Sequence, residues 1–216
     1  MKCNTRNIPV TQEWAKHRQK ENIKNNNQYL NYASRCLMMS VRQNAGYGAS
    51  RLAIFNSGAH ELGKEYIERY SPPDYEMSDR DYAVDSYYAM RRDLLYAGWD
   101  PEIELWGYAP FTDADLPAPA GHLTVRERRI REDYLYYANA ISFYVREMYC
   151  MAALELHNNG GFGAVRLSRV LHPCRDRWLE LMRVYLAMDK PGVERLMRAV
   201  LAEFNGMGCF AQEVVL

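Results

Sequence analysis

Apolar side chains recur three and four positions apart along most of this chain, the spacing that lines one face of an α-helix. Thr11 is placed to cap a first helix running through Trp14 to about Asn25, made basic by Lys16, Arg18, Lys20 and Lys24, with Asn25-Asn26-Asn27 as its interruption. A second helix, about 28 to 43, puts Leu30, Ala33, Leu37 and Val41 on one stripe. A third, about 49 to 70, carries a near-heptad seam of Leu52, Phe55, Ala59, Leu62, Tyr66 and Tyr70 until Pro72-Pro73 stops it. Ser78 and Asp81 resemble a capping box for a helix ending near Ala97 and Gly98. Beyond a break, Thr124 and Glu127 form the strongest capping box in the chain, opening a helix that can run unbroken to about Leu156. Asn158 to Gly161 end it. The next helix, about 164 to 188, should bend near Pro173, and Asp189 and Pro191 open a last one with Val193, Leu196, Met197, Val200, Leu201 and Phe204 on its apolar face.

Two decapeptides in this pattern say nearly the same thing. Residues 43–52 and 158–167 match at an offset of 115 positions in Asn44/Asn159, Gly46/Gly161, Gly48/Gly163, Ala49/Ala164, Arg51/Arg166 and Leu52/Leu167, with Tyr47 facing Phe162. Each follows one helical stretch and precedes another, so the expected fold is an all-α, internally duplicated helical bundle of two three-helix units plus an N-terminal helix. The organisation reads as a basic N-terminal helix (1–28), a first helical repeat (29–98), a connector (99–123) and a second helical repeat with a C-terminal tail (124–216). The connector is rich in proline and acids. Its Ile103, Leu105, Trp106, Tyr108 and Phe111 are too apolar for a free linker, and should pack across the helices.

At 216 residues the chain is long enough for a sizeable core, and 48% apolar with 25% charged residues is ordinary for a globular protein. Tyrosine is over-used, with 17 copies, which suits half-buried faces and interfaces because the ring is apolar and its tip polar. The five scattered cysteines include no CxxC pair and point to reduced thiols. The polar start, Met1-Lys2-Cys3-Asn4, lacks a secretory apolar segment, so a cytoplasmic location without membrane contact is expected. Zero net charge hides an asymmetry. Residues 1–60 carry nine Lys/Arg against two Asp/Glu, residues 61–120 five against fourteen, and residues 121–216 thirteen against eleven. Such segregation suits internal complementarity or a charged partner.

The repeated motif reads first as a structural corner. Gly46, Gly48, Gly161 and Gly163 permit the turn, Tyr47 and Phe162 plug it, and Arg51 and Arg166 can bond the carbonyls that end the preceding helix. As a phosphate site it is incomplete, having neither the preceding strand nor the full spacing of a nucleotide-binding loop. A nucleic-acid reading rests on Lys16, Arg18, Lys20, Lys24, Arg35 and Arg42, which can meet phosphates. The histidines lack metal-ligand spacing, Ser57 and Ser168 lack a nucleophile elbow, and Glu102, Glu104, Asp113 and Asp115 read as a solvated acidic face. No catalytic residue, cofactor or metal is therefore expected.

Helix, Asn159-Gly160-Gly161-Phe162-Gly163-Ala164-Val165-Arg166-Leu167, helix resembles small helical proteins encoded by prophages and mobile elements of Gram-positive bacteria. The resemblance covers residues 134–204, and 30–97 more loosely, with Asn44 to Leu52 as the degenerate copy. It implies a non-enzymatic protein that works by binding. The leading expectation is an anti-CRISPR-type inhibitor of a bacterial defence nuclease or its guide complex. The alternative is a nucleic-acid-binding accessory to phage replication or transcription, and self-association is a further partner class.

Overall fold

The computed structural model describes residues 12–70, 79–105, 111–119 and 121–208, with side chains from residue 26 and, in the third helix, from residue 85. Among these residues the regular structure is all helical. The elements are α1 (Gln12–Ala45), α2 (Ala49–Tyr70), α3 (Asp79–Tyr96), the single turn α4 (Pro101–Glu104), a 3-10 turn at Asp113–Asp115, α5 (Val125–Asn158), α6 (Ala164–Leu186) and α7 (Lys190–Gly206). No described helix is long and apolar enough to cross a membrane.

One expectation fails at the start. α1 passes through Asn25-Asn26-Asn27 without a break, so the basic N-terminal segment and the second helix are one helix of 34 residues. Asparagine costs an isolated helix only a few tenths of a kcal/mol per residue, and burial of Tyr29, Tyr32, Ala33 and Leu37 immediately downstream outweighs it. Among the described residues the arrangement is thus three long helices per half, with no separate N-terminal helix. The proposed caps at Thr11 and Ser78–Asp81 lie outside the described residues.

Elsewhere the local signals act as their chemistry requires. Thr124 Oγ1 accepts the amide of Glu127 at 3.2 Å while Glu127 Oε2 accepts that of Thr124 at 2.8 Å. α5 then runs 34 residues, ending where Asn158 was expected to end it. Asp189 accepts the amide of Gly192 at 3.0 Å, with Pro191 in the first turn of α7 where its missing N–H is harmless. α6 continues through Pro173 to Leu186.

The halves interlock. α1 packs chiefly against α6 and α7, and α5 against α2 and α3, so each long helix is sheathed by the second helix of the opposite half. Their elements run in the same order with closely similar lengths, 34, 22 and 18 residues against 34, 23 and 17. The offset of 115 also carries burial. The buried positions of α2, Leu52, Phe55, Ala59, Gly63 and Tyr66, correspond to Leu167, Val170, Cys174, Trp178 and Leu181, all buried in α6. Gly63 takes the seam position where Leu62 was expected, and Leu62 is only half-buried. One continuous core spans both halves.

Candidate functional site

The two glycine corners meet. Tyr47 and Phe162 are both buried, and their rings touch edge to face with centroids 6.2 Å apart. Around them the two turns share several bonds. The amide of Gly46 donates to Arg42 O at 3.2 Å, and that of Gly161 to His157 O at 3.1 Å. Leu52 N bonds Gly48 O at 2.9 Å, and Leu167 N bonds Gly163 O at 3.0 Å. Asn44 Nδ2 donates to Ser40 Oγ and Asn159 Nδ2 to Glu155 Oε2, each four residues back and each at 2.8 Å.

Two details of the corner differ from expectation. The left-handed glycines are the first of each pair, Gly46 at φ 73° and Gly161 at φ 67°. Gly163 is extended, at φ −81° and ψ 174°, and caps the N-terminus of α6. The arginines lie over their own aromatic rings, Arg51 at 4.1 Å from the Tyr47 centroid and Arg166 at 3.8 Å from that of Phe162. The carbonyls of Arg42 and His157 are meanwhile taken by backbone amides. A guanidinium held flat on a ring stays hydrated on its outer side, so each arginine seals the aromatic plug from water. His157 Nδ1–H donates to Phe162 O at 2.8 Å, tying the second corner to the end of α5. The corners thus join the two halves through the Tyr47–Phe162 contact.

Two of the four connector acids singled out above, Glu102 and Glu104, are tied into the fold and are not a solvated face. Glu102 accepts the Tyr87 hydroxyl at 2.8 Å and lies 3.7 Å from Arg146, a fully buried guanidinium stacked 4.6 Å over the Tyr87 ring. Glu104 Oε2 accepts from Ser168 at 2.8 Å and is 2.6 Å from His172 Nε2. Trp99 Nε1 donates to Ser168 Oγ at 3.0 Å and Arg175 to the Glu104 carbonyl at 2.7 Å. α4 is thereby pinned between α3, α5 and α6. Leu105 and Phe111 are buried as expected, and so are Trp99 and Leu116, whereas Ile103 is 78% exposed. Trp106 and Tyr108 lie outside the described residues, and Asp113 and Asp115 are exposed. Serine, glutamate and histidine are thus brought together on α4 and α6. Ser168 donates to Glu104 Oε2, the same oxygen that His172 Nε2 meets. Among the described residues no group of three or more His, Cys, Asp or Glu is placed to hold a metal.

A concave surface lies along α1 and α7. Two adjoining hollows of about 360 and 420 Å³ share Gln28, Glu194 and Met197. One is walled by Tyr29, Tyr134 and Tyr185, the other by Tyr32, Arg35, Arg198 and Leu201. The tyrosine wall is a packed cluster. Tyr185 lies 5.0 Å from Tyr134, 5.6 Å from Tyr137 and 5.7 Å from Tyr29, centroid to centroid. Burial, reinforced by neighbouring Tyr134, pushes the Tyr29 hydroxyl up to about 12, so it remains a neutral donor. Arg177 closes the α6–α7 side with paired bonds to Glu203 at 2.9 and 3.1 Å. Of the basic residues singled out above, Arg35 lines this groove, and Arg42 is half-buried in the last turn of α1. The side chains of Lys16, Arg18, Lys20 and Lys24 lie outside the described residues. Sequence reasoning missed Tyr29, Tyr185 and Arg198, although the tyrosine excess and the i,i+3 pair Tyr134/Tyr137 were the available signal.

No protein-family model, curated protein or solved structure matches the chain.

Proposed function

We propose that this is a non-enzymatic binding protein that acts by protein–protein contact through the α1–α7 groove, as a mobile-element inhibitor of a bacterial defence nuclease. The observation that supports a protein partner is the groove itself, where a wall of packed tyrosines adjoins Arg35, Arg198, Lys190 and Glu194. Rigid aromatic rings with polar tips, flanked by charges of both signs, are the composition of protein interfaces. A phosphate backbone would be met instead by cations without interleaved acids. The assignment to defence inhibition rests on the resemblance carried by Asn159 to Leu167.

A nucleic-acid accessory role is the second reading, favoured by Arg35 and Arg198 sharing one hollow. Affinity capture from a bacterial lysate, with and without nuclease digestion, separates the two. A defence nuclease or its guide complex retained after digestion, and lost with Arg35→Glu/Arg198→Glu, is the expected result. A ligand that vanishes on digestion supports the accessory role, and capture of replication proteins alone overturns defence inhibition.

A further inference from the structure

The two halves are most alike at their corners and least alike one helical seam away. In the second half the seam position is Trp178, fully buried, with its indole N–H bonded to Ser142 Oγ at 2.9 Å and its ring 6.5 Å from that of Tyr29. The corresponding position in the first half is Gly63. Where the tryptophan fills space, the glycine leaves it. A pocket of about 190 Å³ opens there between α1, α2 and α5, lined by Ala59, Gly63, Ile67, Tyr144, Met148 and Met151.

The neighbours record the same substitution. Tyr29 and Cys36 of α1 are buried, whereas their counterparts in α5, Tyr144 and Met151, are only half-buried. The other buried positions of α1 from Tyr32 to Val41 correspond to buried positions in α5. The Met151 sulfur leans toward Gly63, where an added Cβ would meet it at 2.4 Å. The thioether thus fills part of the vacancy and leaves the rest.

We infer that the Gly63 pocket is a binding site for a small aromatic molecule of about the size of indole. Its volume exceeds the ~150 Å³ of an apolar cavity known to take benzene. Its wall is mostly apolar with His60 and Lys64 as its polar members, as small-ligand sites are. Methionine suits the role twice over, since Met148 and Met151 can re-pack around a guest and their sulfurs favour the edge of an aromatic ring. Tyr144 lines the pocket at the position equivalent to Tyr29, whose ring meets Trp178 edge to face. The bound ring would take the place in the first half that the Trp178 side chain takes in the second. This site is separate from the α1–α7 groove and does not depend on the nature of the partner there.

The test is titration of the intact protein with indole, read by the methyl resonances of Met148 and Met151 in ¹³C-methyl-methionine spectra. Saturable ring-current shifts at both are expected. Gly63→Trp combined with Met151→Cys gives the pocket the residues of the equivalent positions, Trp178 and Cys36, and should abolish the Met148 shift by filling it. Should that variant fail to fold, Ile67→Asp places a charge on the exposed rim and should lose the response at unchanged melting temperature. Unmoved methyl resonances in the wild type up to the solubility of indole, or an undiminished response in either folded variant, overturn the assignment.

Discussion

Replacing Glu147 by glutamine should remove a pH-dependent weakness from the core. Glu147 is buried on α5, its carboxylate accepting the Ser86 hydroxyl at 2.6 Å. Burial pushes its pKa from the ordinary 4.5 up to about 7, a rise that the Ser86 bond only partly offsets. At ~1.4 kcal/mol per tenfold change in proton affinity, ionising the group in place costs about 3 kcal/mol. Below pH 4.5 both folded and unfolded chains hold the proton, so no penalty applies. Between 4.5 and 7 the unfolded state releases it first, and folding stability falls as pH rises. Above 7 the penalty is complete. Glutamine keeps the acceptor for Ser86 and never ionises. Urea unfolding of wild type and Glu147→Gln from pH 4 to pH 8 should therefore show a widening advantage for the variant. The difference should be small at pH 4 and reach about 1 to 3 kcal/mol at pH 8, less than the full penalty because the new amide needs an acceptor of its own. Every other titration cancels in that difference. A pH-independent gap would show that the core does not shift the carboxylate, and wild type gaining on the variant as pH rises would show that it is ionised and stabilised there; either result would refute the reasoning.

Gly46→Ala and Gly161→Ala should each lose about 1 to 2 kcal/mol by forcing a side chain into left-handed backbone, while Gly163→Ala at the extended cap loses a few tenths in thermal melts. Arg51→Ala and Arg166→Ala should cost about 0.5 to 1 kcal/mol each through the lost ring contact and leave partner capture intact. Loss of capture at unchanged stability would instead make the corner a recognition element. Burial raises the thiols of Cys36, Cys150 and Cys174, Cys36 to about 12, so iodoacetamide at neutral pH should leave all three unlabelled in peptide mass spectra until the chain is unfolded.

The helical class, α5 and its capping box, the Asp189 and Pro191 start of α7 and the glycine corners were legible in sequence because each is specified within a few residues. The continuity of α1 was not, since a run of asparagines opposes helix locally and only burial of Tyr29, Tyr32 and Leu37 decides the matter. Glu102 and Glu104 read as surface because their partners, Tyr87, Arg146, Ser168 and His172, lie on three other helices. The groove was hidden for the same reason. Tyr29, Tyr134 and Tyr185 come from three different helices, and Arg35 joins Arg198 only once α7 lies along α1. What sequence did expose, the offset of 115, led to the unmatched pair Gly63 and Trp178.

The claim that the groove serves a protein partner, and not a phosphate backbone, is tested most directly by fluorescence anisotropy of labelled duplex and single-stranded oligonucleotides against the purified protein across a salt series. The account predicts binding no tighter than the ~10⁻⁴ to 10⁻⁶ M of non-specific electrostatic association, with little change on Arg35→Glu/Arg198→Glu. Nanomolar binding that weakens steeply with salt and disappears in that double variant would contradict it.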